Sequence, residues 1–184
     1  MKKLLLYLLI GTCLVSCRED EVVVPTEYEI IPEEVKPGQK IIGMYLLNEG
    51  NMGSNKSTLD YVDFSQGYYV RNLYAERNPH VIKELGDVGN DIQIYGSRIY
   101  AVINCSNKIE VLDARTAHRI GQVNIPNVRY VRFHKGYAYA TSYVGPVQLN
   151  NPDAVQGAVY KIDTLSLKPV AKCMKNARRS VLCI

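Results

Sequence analysis

The chain has 184 residues, the usual span of one domain, and 47% of them are hydrophobic and 22% charged. Its aromatic residues are 14 Tyr and 2 Phe with no Trp, and this composition excludes a disordered chain, a collagen and a coiled coil. The formal net charge of +4 is too small to indicate a nucleic-acid partner by itself.

The first 16 residues have the pattern of a bacterial lipoprotein signal peptide. Two lysines form a short positive region, residues 4–10 are apolar, and the small residue Ser16 precedes Cys17. The apolar run is too short to span a membrane and has the flanks of a cleaved signal. We therefore expect Cys17 to carry a lipid anchor made stable by more than one acyl chain. A plain secretory signal with an incidental cysteine is the alternative.

Residues 17–37 are expected to form the lipidated cysteine and an extended tether. Residues 18–37 carry seven acidic and two basic residues together with three prolines. Such a composition cannot bury enough apolar surface to build a core. The acidic run at residues 18–21 resembles the surface-export signal of lipoproteins of the Bacteroidota. The expected location is therefore the cell surface, with the protein held on the outer membrane by its lipid.

Residues 38–172 contain a repeat of 50 residues. Three strand-like blocks end at Asp63, Asp113 and Asp163, and each block alternates apolar and polar residues as a half-buried strand does. Turn-like residues follow each aspartate, where its carboxylate can accept hydrogen bonds from backbone amides. The pattern predicts the same local structure three times.

A hairpin precedes the aspartate strand in the second and third copies, over residues 94–102 and 133–141. The first copy keeps only the second hairpin strand, at residues 44–47. With one more strand after each aspartate, the unit has four antiparallel strands in about 40–50 residues, which is typical of a β-propeller blade. The sequence therefore predicts an all-β, incomplete β-propeller of about three blades. A β-sandwich is the competing fold, and a weak helical signal lies near residues 72–84.

Residues 173–184 depart from the repeat where a fourth blade would begin. The last 17 residues of the chain carry five basic residues and no acidic one. We expect an off-pattern basic tail here. Because propeller rings have at least four blades, a truncated product is favoured over a complete small domain.

Two segments, residues 47–53 and 102–113, resemble motifs of the YncE-like β-propeller lipoproteins of Bacteroidota. The resemblance covers roughly residues 41–172 and implies a seven-bladed fold. Together with the lipobox and the acidic tether, it points to the BtuG-type branch. Members of that branch capture cobalamin and pass it to a TonB-dependent outer-membrane transporter. The resemblance thus implies cobalamin as a bound ligand rather than a catalytic cofactor, the transporter as partner, and no nucleic acid.

Propellers bind ligands where the loops of successive blades converge, and the corresponding loops here are rich in Asn, Gln and Tyr. Amides offer hydrogen-bond donors and acceptors, and Tyr adds a flat apolar body with a polar tip. The candidate ligand-binding residues are Asn48, Glu49, Asn51, Asn90, Asp91, Asn104, Asn107, Arg129, Tyr130 and Tyr143. These side chains suit a corrinoid and equally a sugar, so a glycan- or protein-binding surface module is the alternative function.

No catalytic residue and no metal site are expected. The three histidines lack the spacing of a metal pair. The loop at residues 50–57 lacks the glycine that precedes the lysine of a phosphate loop, and a strand follows it rather than a helix. If the protein is instead a hydrolase or lyase, Glu49, Asp87 and Asp91 are the acids in suitable loops. A structural role in turns is the favoured interpretation of all three.

The cysteines left after the signal peptide and Cys17 are Cys105, Cys173 and Cys183. An odd number without CxxC spacing indicates neither a disulfide framework nor a zinc site. Cys105 lies in a strand-like run and is expected to be a small buried residue.

Overall fold

The computed structural model of the chain describes residues 25–30, 41–81, 84–145, 155–176 and 179–183. The signal peptide, Cys17 and most of the predicted tether lie outside these residues. The strands, in chain order, are β1 Tyr28–Ile30, β2 Gly43–Asn48, β3 Thr58–Asp63, β4 Tyr68–Val70, β5 Gly89–Tyr95, β6 Arg98–Ile103, β7 Lys108–Asp113, β8 Arg119–Asn124, β9 Val128–His134, β10 Tyr137–Ser142, β11 Val155–Asp163, β12 Pro169–Asn176 and β13 Arg179–Cys183. A short helix, α1, spans Leu73–Arg77.

The strands form three antiparallel sheets, which confirms the all-β prediction. The first sheet has the order β1-β4-β3-β2, the second β5-β6-β7-β8, and the third β13-β12-β11-β10-β9. The predicted hairpins are present as β5–β6 and β9–β10. Among the described strands β2 forms an edge of the first sheet, and the segment where a hairpin partner would lie, residues 31–40, is outside the described residues.

The second sheet lies between the other two, because its middle strands are buried on both faces. Along β6, Ile99, Ala101 and Ile103 pack with residues of the first sheet and α1, whereas Tyr100 and Val102 pack with residues of the third sheet. Successive side chains of a strand point to opposite faces, and along β6 each face packs into its own apolar core. The molecule is thus a stack of sheets with one apolar core between each neighbouring pair.

The three aspartates that close the repeat make the same turn. The Oδ1 atom of Asp113 accepts hydrogen bonds from the backbone N–H of Arg115 and of Thr116, each at 2.9 Å, and from the Thr116 hydroxyl at 3.0 Å. Asp63 and Asp163 accept the equivalent bonds from the second and third residues after them. The predicted role of the aspartates is therefore confirmed.

These hydrogen bonds affect the titration of two of the carboxyls. The backbone N–H of Arg115 lowers the pKa of Asp113, and the N–H and hydroxyl of Thr116 lower it further. The backbone N–H of Ser166 lowers the pKa of Asp163 in the same way. Hydrogen bonds of this kind favour the ionised form.

Two segments that the sequence analysis placed outside the blades belong to sheets. β1, within the predicted tether, pairs with β4 at the outer edge of the first sheet. Tyr28 Oη donates a hydrogen bond to Glu76 Oε2 of α1 at 2.5 Å, which adds a side-chain contact to the backbone pairing. At the other end of the chain, β12 continues to Asn176 and pairs with β13, where a basic tail was expected. Backbone pairing along a free strand edge does not depend on an apolar composition, and this is why composition alone missed both strands.

Candidate ligand site at the loop end

The β2–β3, β6–β7 and β10–β11 loops and the segments just before β5 and β9 lie at one end of the stack, which we call the loop end. In the described residues it consists of residues 49–57, 86–88, 104–107, 126–127 and 143–145. Asp87 links the first two sheets here: its carboxylate accepts hydrogen bonds from the backbone N–H of Gly53 at 2.8 Å and of Asn55 at 3.4 Å. The Asp87 carbonyl accepts from the N–H of Cys105 at 3.1 Å.

Asparagine side chains and backbone groups join the second and third sheets at the loop end. Asn107 Oδ1 accepts a hydrogen bond from the backbone N–H of Asn127 at 2.7 Å. The carbonyl of Asn127 accepts in turn from the N–H of Tyr143 at 3.2 Å. Asn104 is buried, and its amide donates to the Val128 carbonyl at 2.8 Å. The loops of the three sheets therefore form one bonded surface.

Arg129 is the centre of a polar and aromatic cluster on this surface. Its guanidinium lies 5.7 Å from the ring centroid of Tyr143 and donates to Asn104 Oδ1 at 3.4 Å. Its carbonyl accepts from the Asn90 amide at 2.5 Å. A cation over an aromatic face is attracted by the ring quadrupole. The structure thus brings together four of the candidate residues, which come from both the second and the third sheet.

A cavity of about 420 Å³ begins beside this cluster. Arg129, Tyr130 and Tyr143 form its rim at the loop end, and Thr141, Val159 and Cys173 continue it along the outer face of the third sheet. Tyr130 is 49% exposed and Tyr143 is 47% exposed. Two aromatic rings and a cation are therefore open to solvent next to an apolar wall.

The candidates on the first sheet lie apart from the Arg129 cluster. Asn48 uses its amide inside the sheet, where it donates to Thr58 Oγ1 at 2.9 Å and to Asp60 Oδ2 at 2.6 Å. Glu49 and Asn51 are exposed on the loop, and the Glu49 carbonyl accepts from the Ser57 hydroxyl at 2.6 Å. Glu49 and Asn51 thus present free surface, whereas the Asn48 amide has a structural function.

Two of the acids considered for hydrolysis are occupied by structural bonds. Asp91 Oδ2 accepts from the Val131 N–H at 2.9 Å and pairs with Arg132 Nη1 at 2.7 Å. Asp87 holds the loop of the first sheet, as described above. Both carboxylates join neighbouring sheets, which supports the structural interpretation of these residues.

The cysteines differ from the expectation. Cys105 is exposed in the turn between β6 and β7, so the prediction of a buried residue is wrong. The strand ends at Ile103. The Asn104 side chain turns inward instead, and its amide donates to the Val128 carbonyl. Partial loss of water around the thiol raises the pKa of Cys105, and the negative charge of Asp87 raises it further. Cys173 is disulfide-bonded, which the odd cysteine count did not indicate.

The apolar wall of the cavity and the buried acids were not predicted from the sequence. Thr141, Val159 and Cys173 could have been found from the repeat, because they occupy positions that are apolar in the second copy. Asp60 and Glu110 hold equivalent positions 50 residues apart, and both are buried. The repeat could have identified these two acids by their equivalent positions, whereas composition and loop chemistry could not.

In the part of the chain that is described, no helix is both long and apolar enough to cross a membrane. Within the same residues, no cluster of three or more His, Cys, Asp or Glu side chains could hold a metal ion.

Comparison of the sequence with protein-family models and with curated proteins gave no match.

Proposed function

We propose that the three sheets are blades of a β-propeller, and that the protein is an outer-membrane surface lipoprotein that binds a small nutrient at its loop end. The observation that carries this proposal is the Arg129 cluster, in which side chains from two sheets meet beside an open cavity. The preferred ligand is cobalamin or another corrinoid, for delivery to a TonB-dependent outer-membrane transporter. This choice of ligand and partner rests on the sequence resemblance.

The chemistry of the loop end suits such a ligand. A corrinoid presents a broad macrocycle and several amide side chains. The exposed rings of Tyr130 and Tyr143 can lie against the macrocycle, and the Arg129 guanidinium can donate to amide carbonyls. The cavity of about 420 Å³ lies within the range of ligand pockets, about 300 to 1,000 Å³. Its rim would take one flank of the ligand.

Titration of the purified protein with cyanocobalamin tests the ligand directly. The proposal predicts heat of binding and a shift of the visible bands at a ratio of one ligand to one chain. Arg129→Ala should weaken binding about tenfold or more, because it removes both the donors and the cation above Tyr143. Arg115→Ala is the matched control, since Arg115 is an exposed arginine in a turn at the opposite end of the second sheet. Absence of any signal from folded protein would refute the corrinoid, and retention on a glycan array in that case would favour a sugar.

The lipoprotein part of the proposal has its own test. Cells that produce the protein and are fed a labelled fatty acid should place label on it, and Cys17→Ala should abolish the labelling. The labelled wild-type protein should sediment with outer membranes and be digested by protease added to intact cells. Label that persists in the Cys17→Ala protein would contradict the assignment of the anchor.

A further inference from the structure

A second large cavity lies between the first and second sheets, at the end of the stack opposite the loop end. The described residues leave about 720 Å³ there, and we call this space the turn-end cleft. One wall consists of residues from β1 to β4 and α1, and the other is the turn between β7 and β8. Its volume lies within the range of ligand pockets, about 300 to 1,000 Å³. The cleft shares no residue with the cavity beside Arg129.

Two of the elements that wall the cleft are additions to the repeat. Residues 125–127 alone join β8 to β9, whereas residues 71–88 join β4 to β5 and include α1. β1 adds a strand outside β4. The Tyr28 hydroxyl of β1 donates to Glu76 of α1 at 2.5 Å, so the two additions are bonded to each other. The outer wall of the cleft is therefore a defined structure that the repeat by itself does not contain.

Tyrosine rings make up much of the first-sheet wall. Tyr45 is opposite Tyr61, and their ring centroids are 4.8 Å apart. The same row continues through Val70 on β4 to Tyr28 on β1. Tyr68 lies two residues before Val70 on the same face and is 42% exposed. Because Val70 is buried, the rings stand over an apolar floor, and each ring offers a flat apolar body with a polar tip.

The polar groups around the cleft carry charges of both signs. Arg115 is exposed in the turn of the second sheet, and Arg77 lies 3.9 Å from Glu76 with a side chain that is 48% exposed. The carboxylates of Asp63 and Asp113 lie in the two turns and each accept three hydrogen bonds there. The guanidinium donors thus stand among carboxylates that balance their charge. The cleft concentrates neither positive nor negative charge.

We propose that the turn-end cleft binds an uncharged oligosaccharide, as a second ligand site that does not depend on the loop end. A sugar ring has faces of C–H groups, which can lie on tyrosine rings. Its hydroxyls need both donors and acceptors, which Arg115, Gln66 and Thr116 supply at the rim. The balanced charges favour a neutral sugar over an acidic one, because electrostatic complementarity sets specificity.

An array of neutral hexose and pentose tetrasaccharides tests the proposal, followed by calorimetric titration with a tetrasaccharide that is retained. The wild-type protein should retain at least one of them. Tyr68→Ala removes a stacking surface and Arg115→Ala removes the guanidinium donors, so each should weaken binding about tenfold or more. Both residues are exposed, so both variants should fold, which circular dichroism checks. Lys135→Ala is the matched control, because Lys135 is an exposed cation in the turn between β9 and β10.

Two arginine variants separate this site from the loop end. Arg129→Ala should keep the wild-type affinity for the tetrasaccharide, and Arg115→Ala should keep the wild-type response to cyanocobalamin. A folded wild-type protein that retains no neutral tetrasaccharide would overturn the proposal. So would undiminished binding by Tyr68→Ala and Arg115→Ala, a loss of binding in Arg129→Ala, or a preference for a uronate tetrasaccharide over the neutral ones. Failure to bind cyanocobalamin would leave this site unaffected.

Discussion

The buried carboxylate of Glu110 offers a direct test of how the second sheet is held together. Its side chain has no exposed surface and pairs with two cations of the same sheet. Lys108 Nζ lies 2.7 Å from Oε2, and Arg119 Nε lies 2.5 Å from Oε1. The cations reach solvent, since the Lys108 side chain is 16% exposed and that of Arg119 is 31% exposed. The charge that cannot reach water is therefore the carboxylate.

This asymmetry predicts different costs for removing the two sides of the network. Replacing both Lys108 and Arg119 by Met leaves Glu110 charged in the core, and breaking a buried pair in this way costs about 3–5 kcal/mol. The Glu110→Gln change leaves the cations partly hydrated and should cost about 1–2 kcal/mol. Because small domains have a free energy of unfolding of about 5–15 kcal/mol, the first variant should be severely destabilised.

Urea denaturation at pH 7 measures both variants. Arg115→Met with Lys135→Met removes two exposed cations and should change the free energy of unfolding by no more than about 0.5 kcal/mol. Equal losses in the two Glu110 network variants, or a larger loss in Glu110→Gln, would refute this reasoning.

Two further predictions concern the sheet interface and the repeated turn. A Cβ atom on Gly89 would lie 2.8 Å from Leu47 Cγ and 3.0 Å from the Asn48 carbonyl oxygen, so Gly89→Ala should lower the free energy of unfolding by about 1–3 kcal/mol through overpacking. Gly145→Ala, with no atom within 4 Å of the added methyl, should be close to neutral, and an equal loss in both would contradict the packing argument. The lowered pKa of Asp163 means that its contribution to stability is present above the unfolded value of about 3.9 and is lost as the pH falls through the lower folded value. Asp163→Asn should therefore flatten the loss of stability between pH 5 and pH 2.5, measured from urea midpoints, and an unchanged pH profile would count against the turn as its cause.

The repeat made much of the fold predictable. A strand with alternating apolar residues, an aspartate and a polar turn is a local pattern, and its 50-residue period fixed β3, β7 and β11 together with their turns. The hairpins followed from glycine positions: Gly96 and Gly136 both adopt positive φ in the observed turns. Local signals of this kind do not depend on which distant strand the segment pairs with.

The strands at the two edges were not predictable in the same way. β1 pairs with β4, which lies about 40 residues further along the chain, and nothing in the acidic and proline-rich segment around β1 encodes that partner. The same holds for β13, whose pairing depends on the free edge of β12. Pairing of this kind is set by the tertiary structure, and composition cannot reveal it.

The candidate site was predictable as a set of loops but not as a set of side chains. Loop chemistry identified Arg129, Tyr143, Asn90 and Asn104, which the structure joins. It also selected Asn48 and Asp91, whose polar atoms are used within and between sheets, as are the amides of Asn90 and Asn104, which donate to the backbone carbonyls of Arg129 and Val128. An Asn or Asp that binds a ligand and one that satisfies a backbone group have the same sequence signature, so only the hydrogen-bond partners separate them.

The central claim, that the loop end around Arg129 binds a corrinoid, is tested most directly by hydrogen exchange of the purified protein with and without cyanocobalamin. The account predicts slower exchange at residues 104–107, 127–130 and 143–145, and no change in the turns after Asp63, Asp113 and Asp163 at the opposite end. Protection confined to those turns, or no protection anywhere at saturating ligand, would contradict the claim.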